Sequence, residues 1–243
     1  MEAWGLTDTG VVRKQNQDFF QIEQLKDGAL LAVVCDGMGG ARSGNVASRL
    51  ACEVFTEEIK RSFSPEATPE ETERVLQGAA RLANISVYEQ GQLSEEYEGM
   101  GTTLVAALLY PKAVLVLNIG DSRAYHIDAD GISRITTDHS VVELMVQRGE
   151  LTLEQAKSHP SKNLITRAVG TGTQVLADVF RVTAQKGDCL LLCTDGLSNQ
   201  MADQEILFEV VHGAHKDDCC QRLLEIAKER GAPDNVTSIL IAI

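Results

Sequence analysis

Positive charge is scarce in this chain: 22 Lys and Arg stand against 35 Asp and Glu, a formal net charge of −13 at pH 7. Nucleic-acid affinity is driven by phosphate neutralisation and calls for a basic stripe. The nearest thing to one is Arg13-Lys14, so nucleic acid is excluded as a partner. The acidic excess fits a cytoplasmic protein kept soluble by like charge, with some of it gathered in a site. Long apolar runs are missing too. The longest, such as residues 104–110, fall far short of the ~20 residues needed to cross a bilayer. The first residues, Met1 to Asp8, show no basic segment followed by an apolar one, so neither a secretory signal nor a membrane partner is expected. No Pro-, Ser- or Gly-rich linker and no internal repeat divides the 243 residues, so one domain spanning 1–243 is expected. A chain of this length buries roughly 70–75% of its unfolded surface and needs no covalent staples. No heptad pattern points to a helical oligomer, and a monomer is expected.

Paired cysteine motifs are absent as well. The chain has six cysteines, but none has C-x-x-C spacing. Cys189 and Cys193 share one face of a strand-like run, Cys219 and Cys220 are adjacent on a helix-like one, and Cys35 and Cys52 stand singly in apolar patterns. They read as reduced, buried thiols, as a cytoplasmic location implies. The glycines of residues 37–40 suggest a phosphate-cradling loop, yet no Gly-Lys-Ser/Thr follows, which excludes a nucleotide P-loop.

What is present comes in blocks. β-rich pieces near 2–8, 17–25 and 29–35 precede an amphipathic helix over about 44–60. Thr68-Pro69-Glu70-Glu71 is a capping box with proline at the first helical position, opening a helix to about Gly91. Residues 101–136 read as a meander of antiparallel strands, with Gly120-Asp121 and Asp130-Gly131 as its turns. Residues 140–172 mix a short amphipathic helix, the capping box Thr152 to Gln155 and a polar stretch, as an elaboration on the scaffold. Strands near 174–183 and 188–194, helices over 203–212 and 217–230, and a strand over 236–243 close the chain. Such blocks suit helices covering two stacked, mainly antiparallel sheets, an α+β architecture.

Four aspartates sit where apolar runs meet glycine or asparagine. Asp36-Gly37 follows residues 29–35, Asp121 follows Gly120, Asp195-Gly196 follows residues 190–194, and Asp234-Asn235 opens residues 236–241. Carboxylates at the ends of buried strands need a counter-charge, and a hard divalent cation supplies it. With no histidine or cysteine at ligand spacing, oxygen donors alone select Mg²⁺ or Mn²⁺. Two such ions would lower the pKa of a shared water and neutralise a transferring phosphoryl group, so phosphate esters are the natural substrate. Arg13, five residues before Asp18, is a candidate fork for phosphate oxygens.

Five pieces in order carry a resemblance: Arg13 with Asn16-Gln17-Asp18, Asp36-Gly37-Met38-Gly39-Gly40, Gly120-Asp121-Ser122-Arg123, Asp195-Gly196-Leu197, and Asp234-Asn235-Val236-Thr237. Together they resemble the bacterial metal-dependent Ser/Thr protein phosphatases of type 2C, the PPM family, from about Leu6 to Ile243. The resemblance implies a four-layer αββα sandwich of two antiparallel sheets flanked by helix pairs, with residues 140–172 as a flap. It implies that Asp36 bridges two Mn²⁺ or Mg²⁺ ions, with the Gly37 carbonyl on one. Asp195 and Asp234 would bind the second, Asp18 would hold it through water, and Asp121 with Asp195 would form a weaker third site. Arg13 would hold the substrate phosphate. Phosphorylated proteins, a Ser/Thr kinase and its substrates are the implied partners.

Met38 stands where many eukaryotic members carry a histidine, and it cannot donate a proton to the leaving alkoxide. None of the five histidines is placed as a ligand, and His139 reads as structural. Asp121 to Arg123 also reads as a hairpin turn with a local ion pair. Two rivals stand beside the phosphoprotein phosphatase: a phosphatase for a small metabolite, and a non-catalytic signalling module on the same fold. Retention of Asp18, Asp36, Asp195 and Asp234 argues against the second.

Overall fold

The computed structural model describes residues 1–213 and 215–243, and for residues 40–42 the backbone alone. The surroundings of Gly40, last residue of the 36–40 motif, therefore lie outside the described residues. The chain opens with β1 (Glu2–Asp8), β2 (Asp18–Gln24) and β3 (Leu30–Met38), then α1 (Gly40–Ser62) and α2 (Pro69–Gly91). Next come β4 (Gly101–Thr102), β5 (Leu104–Tyr110), β6 (Ala113–Ile119), β7 (Arg123–Asp128) and β8 (Gly131–Arg134). The short helices α3 (Val141–Gln147) and α4 (Leu153–Lys157) lead to β9 (Asp178–Val182) and β10 (Cys189–Cys193). Helices α5 (Asp195–Ser198), α6 (Asp203–His212) and α7 (Cys219–Glu229) and strand β11 (Val236–Ala242) complete the fold.

Two sheets form, ordered β1-β11-β10-β7-β8 and β2-β3-β5-β6-β9, with β4 paired to β3. Every pairing is antiparallel. Alternation along the strands sorts side chains into three cores. In β3, Leu30, Ala32 and Val34 face the other sheet, meeting Leu190, Leu192, Ile239 and Ile241. The intervening Leu31, Val33 and Cys35 pack on Phe55 and Ile59 of α1 and Leu76 and Ala83 of α2. On the opposite sheet, Leu191, Cys193 and Leu240 pack on Ile206 of α6 and Leu223 of α7. The result is helices, sheet, sheet, helices, an α+β sandwich as expected. All six cysteines are free and buried. Among the described residues no helix is long and apolar enough to cross a membrane.

One expectation fails. Residues 101–136 are not a meander: β6 pairs with β5 and β9 in one sheet, whereas β7 pairs with β10 and β8 in the other. Asp130-Gly131 does turn a hairpin between β7 and β8, but Gly120-Asp121 carries the chain from one sheet to the other. Strand periodicity reports which residues are buried but not which sheet buries them. Capping boxes were more legible, since they are local. Thr68 accepts from the Glu71 amide at 3.2 Å while Glu71 accepts from the Thr68 amide at 2.8 Å. Thr152 and Gln155 repeat the arrangement at the start of α4.

Candidate active site

All the aspartates singled out from the sequence arrive at one end of the inter-sheet layer. Asp36 continues the Leu30, Ala32, Val34 face of β3, and Asp18 lies directly opposite it in the β2–β3 register. Residues opposed in an antiparallel pair share a face, so both carboxylates emerge between the sheets. The backbone of Asp36 is held from both sides: Thr103 Oγ1 accepts from its amide at 2.9 Å, and its carbonyl accepts from the Thr103 amide and Thr102 hydroxyl, each at 2.8 Å.

Asp195 and Asp234 are brought together by the meeting of α5 with β11. A Cβ at Gly196 would sit 1.9 Å from the Asn235 carbonyl oxygen, so only glycine allows the two Asp-containing turns to touch. Asp121 joins them from the crossover between sheets. There Gly120 adopts φ of +109°, a conformation that side chains disfavour, and lies against Thr103. The hydroxyls of Thr103 and Ser122 meet at 2.6 Å, linking the Asp36 and Asp121 segments. Arg123 does not pair with Asp121. It makes a two-pronged contact with Asp138 instead, with Nη2 donating to Oδ2 at 2.6 Å and Nε to Oδ1 at 3.0 Å.

The loop carrying Arg13 is fastened by Asn235, whose Nδ2 donates to the Thr9 and Gln15 carbonyls at 2.9 Å and whose Oδ1 accepts from the Gln17 amide at 2.8 Å. Arg13 is half exposed and donates through Nη2 to Asp234 Oδ2 at 2.7 Å. These groups border an open cleft of about 650 Å³, lined by Arg13, Asp36, Asp121, Asp195 and Asp234, with Met38 in its wall. His139 is not part of it. Its Nδ1 accepts from the Gly120 amide at 3.1 Å and its Nε2 meets Asp178 Oδ2 at 3.0 Å, a structural role as expected.

The crowding of carboxylates is electrostatically costly. Burial pushes the Asp18 carboxyl up to about 7, against the opposing effect of hydrogen bonds from Thr237 and Thr194. Burial and then the charge of Asp195 push Asp121 up to about 7. Asp36 rises well above the usual carboxylate range through burial, then through Asp18, Asp195 and Asp121. Asp195 rises through burial and the charge of Asp234. Asp18 Oδ1 and Asp195 Oδ1 are buried with no hydrogen-bond partner. Like charges and orphaned oxygens around one cleft fit a divalent cation, which satisfies both. Among the described residues no three acidic, His or Cys side chains converge closely enough to ligate one ion by themselves. The donor set is all oxygen, which suits hard ions such as Mg²⁺ or Mn²⁺.

A family profile described as protein phosphatase 2C matches residues 11–240. The chain belongs to the protein phosphatase 2C family. It is 35% identical over 241 residues to the serine/threonine phosphatase stp of Listeria innocua, covering 99% of this chain and 95% of that protein. It is 34% identical to the protein phosphatase PhpP of Streptococcus pneumoniae, covering 100% of this chain and 97% of the relative. The solved serine/threonine phosphatase of S. agalactiae superposes with a TM-score of 0.93 at 33% identity, over 100% of this chain and 99% of that one. Dependence on divalent metal ions comes with the family.

Sequence reasoning missed the threonines behind the aspartates. Thr103, Thr194 and Thr237 contact Asp36 or Asp18 directly. Thr237 closes one recognisable motif, Thr194 precedes another and Thr103 adjoins none, but a threonine in a strand reads as β-propensity, and only the folded pairing of strands and sheets reveals its partner.

Proposed function

We propose that this chain, a serine/threonine protein phosphatase of the 2C family, hydrolyses phosphoserine and phosphothreonine esters of proteins with two Mn²⁺ or Mg²⁺ ions in the 650 Å³ cleft. The observation that carries the reading is the convergence of Asp36, Asp121, Asp195 and Asp234 on one cleft, with Asp18 opposite Asp36 behind it and two buried carboxylate oxygens, of Asp18 and Asp195, left unpartnered. Asp36 would hold both ions, with the Gly37 carbonyl on one of them, Asp195 and Asp234 would hold the second, and Asp18 would act on it through water. Asp121 with Asp195 would take a weaker third. Bound there, such ions supply Lewis-acid polarisation of the phosphate and an activated water.

The residues of the chain do the rest. Arg13 contributes a planar two-pronged donor on the rim. Its side chain is half exposed and held by one carboxylate contact, so it can turn from Asp234 to a phosphate oxygen. Asn235 sets the height of that rim by fixing the loop at three backbone positions. Met38 keeps part of the wall apolar and gives no proton. No histidine lines the cleft among the described residues, and we assign the proton for the leaving alkoxide to water.

Around this centre we place a monomer acting in the cytoplasm opposite a Ser/Thr kinase, with residues 140–172 as a flap that chooses among phosphoproteins. Support for the flap comes from Asn163 and Ile165, which border the cleft. The test is hydrolysis of p-nitrophenyl phosphate and of a phosphothreonine peptide with Mn²⁺, with excess chelator, and by Asp36→Asn. Metal-dependent turnover lost in the variant is expected. Turnover in chelator, or undiminished turnover by Asp36→Asn, would overturn the reading. Equal turnover of the peptide and of sugar phosphates would move it to a small-metabolite phosphatase.

A further inference from the structure

Asp18 reaches from one sheet to the other. It belongs to β2, but its Oδ2 accepts from the hydroxyls of Thr237 at 2.6 Å and Thr194 at 2.9 Å, at the ends of the inner strands β11 and β10 of the opposite sheet. With Asp18 Oδ2 as the acceptor, the direction of every hydrogen in this network follows. The Asp18 amide donates to Asn16 Oδ1 at 3.0 Å, which fixes the Asn16 side-chain amide and leaves its Nδ2 to donate to Thr7 Oγ1 at 2.8 Å. Thr7 and Thr237 hydroxyls meet at 2.7 Å. Thr237 gives its one hydrogen to Asp18, so Thr7 donates to Thr237. Thr194 Oγ1 accepts from the Thr237 amide at 3.0 Å and gives its own hydrogen to Asp18. A hydroxyl has a single hydrogen to give, and both chains terminate on the same oxygen.

The consequence is asymmetric. Oδ2 is occupied by two donors, while Oδ1 is buried without any partner. The carboxylate cannot rotate to exchange the two without breaking both threonine contacts. We propose that Thr237 and Thr194 are positioning residues that lock Asp18 so that Oδ1 alone is presented to a divalent cation or to water on it. This rests on the metal reading of the cleft given above, and extends it to residues that do not touch the ion. Hydrogen-bond partners that orient a metal-binding carboxylate typically set its affinity by about 10–100-fold.

The experiment is calorimetric titration of Mn²⁺ into metal-stripped full-length protein, comparing wild type with Thr237→Val, Thr237→Ser, Thr194→Val and Asp18→Asn. Melting temperature in chelator is measured alongside. Thr237→Val and Thr194→Val are expected to weaken Mn²⁺ by roughly 10-fold or more, and Thr237→Ser, which keeps the hydroxyl, to retain wild-type affinity. Lowered melting with unchanged affinity in both valine variants would show a purely structural role and overturn the proposal, while weakened binding by Asp18→Asn would leave the metal reading standing. Wild-type protein that takes up no Mn²⁺ would overturn both. Should Thr237→Val fail to fold, Thr194→Val and Thr237→Ser decide the matter by the same measure.

Discussion

Asp18 and Asp36 are directly opposed in the antiparallel ladder of β2 and β3. Like charges in that position oppose strand pairing, and here the pair is stripped of much of its water by the second sheet. The ladder is held by other means: Phe20 and Ile22 packed against the inter-sheet core, the threonine hydroxyls on the Asp18 carboxylate, and Thr102 and Thr103 on the Asp36 backbone. The fold tolerates a destabilising pair at the place where its chemistry is done.

Asp36→Asn should therefore separate stability from activity. Removing one charge from the cluster is expected to stabilise the fold in chelator by an amount of order 1 kcal/mol, seen as a higher melting temperature. Turnover should fall by about 10²–10³-fold, the cost of losing one electrostatic stabiliser of a transition state. Thermal denaturation in chelator and a p-nitrophenyl phosphate assay with Mn²⁺ check the two halves. A variant both less stable and inactive would refute the trade-off.

The pH dependence of the metal-free protein has a definite sign. Asp18 and Asp121 sit at about 7 when folded, raised from the ordinary value of 3.8. The folded state therefore binds protons more tightly than the unfolded one, so stability is fullest below about pH 4 for these groups and is lost as pH rises toward 7. Melting in chelator should decline from pH 5 to pH 7.5, and added Mn²⁺ should restore more stability at the upper end. A metal increment independent of pH would contradict the electrostatic account of the site.

The parts of this design legible in the sequence were those written locally. Thr68 to Glu71 announces its helix within four residues. The apolar runs ending at Asp36 and Asp195 place both carboxylates at the margin of a core. Partnership between distant segments was not legible. Nothing near Asp121 says that the chain changes sheet there, and Thr194 gives no sign that its hydroxyl ends on Asp18, 176 positions away. Asn235 was visible as part of a motif, but its work as the clasp of the Arg13 loop requires the fold.

Gly196→Ala tests one such long-range contact. A methyl group 1.9 Å from the Asn235 carbonyl cannot be accommodated without moving β11 or α5. Overpacking of this kind costs about 1–3 kcal/mol, and the displacement would part Asp195 from Asp234. Both lower melting temperature and weaker Mn²⁺ binding by calorimetry are expected. Wild-type Mn²⁺ affinity in the variant would show that the close approach does not set the metal site.

Arg13 presents the opposite balance. Its contact with Asp234 is exposed, and exposed ion pairs contribute little to stability, so Arg13→Ala should shift it by no more than about 0.5 kcal/mol. A charge-assisted hydrogen bond to phosphate is worth about 1.5–3 kcal/mol, so KM for p-nitrophenyl phosphate should rise by about tenfold or more. Arg13→Lys should recover only part of this, since an ammonium lacks the fork. Unchanged KM in Arg13→Ala would remove this residue from the phosphate site.

The proposed flap should separate substrate choice from chemistry. Helix α4 has no buried residue, and α3 buries only Val142, so this segment adds little to the core. Its base is nevertheless fixed, by a bridge between Ser140 and Ile165 and by another between Thr102 and Val169. Asn163 and Ile165 thereby stay at the cleft, while Leu153 and Leu164 of the same segment are exposed. A small aryl phosphate needs only the carboxylates and Arg13, whereas a protein substrate must pass this exposed surface. Deleting residues 151–161, a surface segment of the kind that tolerates loss, should reduce kcat/KM for a phosphoprotein by about tenfold, equivalent to 1.4 kcal/mol. Turnover of p-nitrophenyl phosphate should stay within about twofold, less than 0.5 kcal/mol. Equal loss on both substrates would assign the segment to the integrity of the catalytic cleft instead.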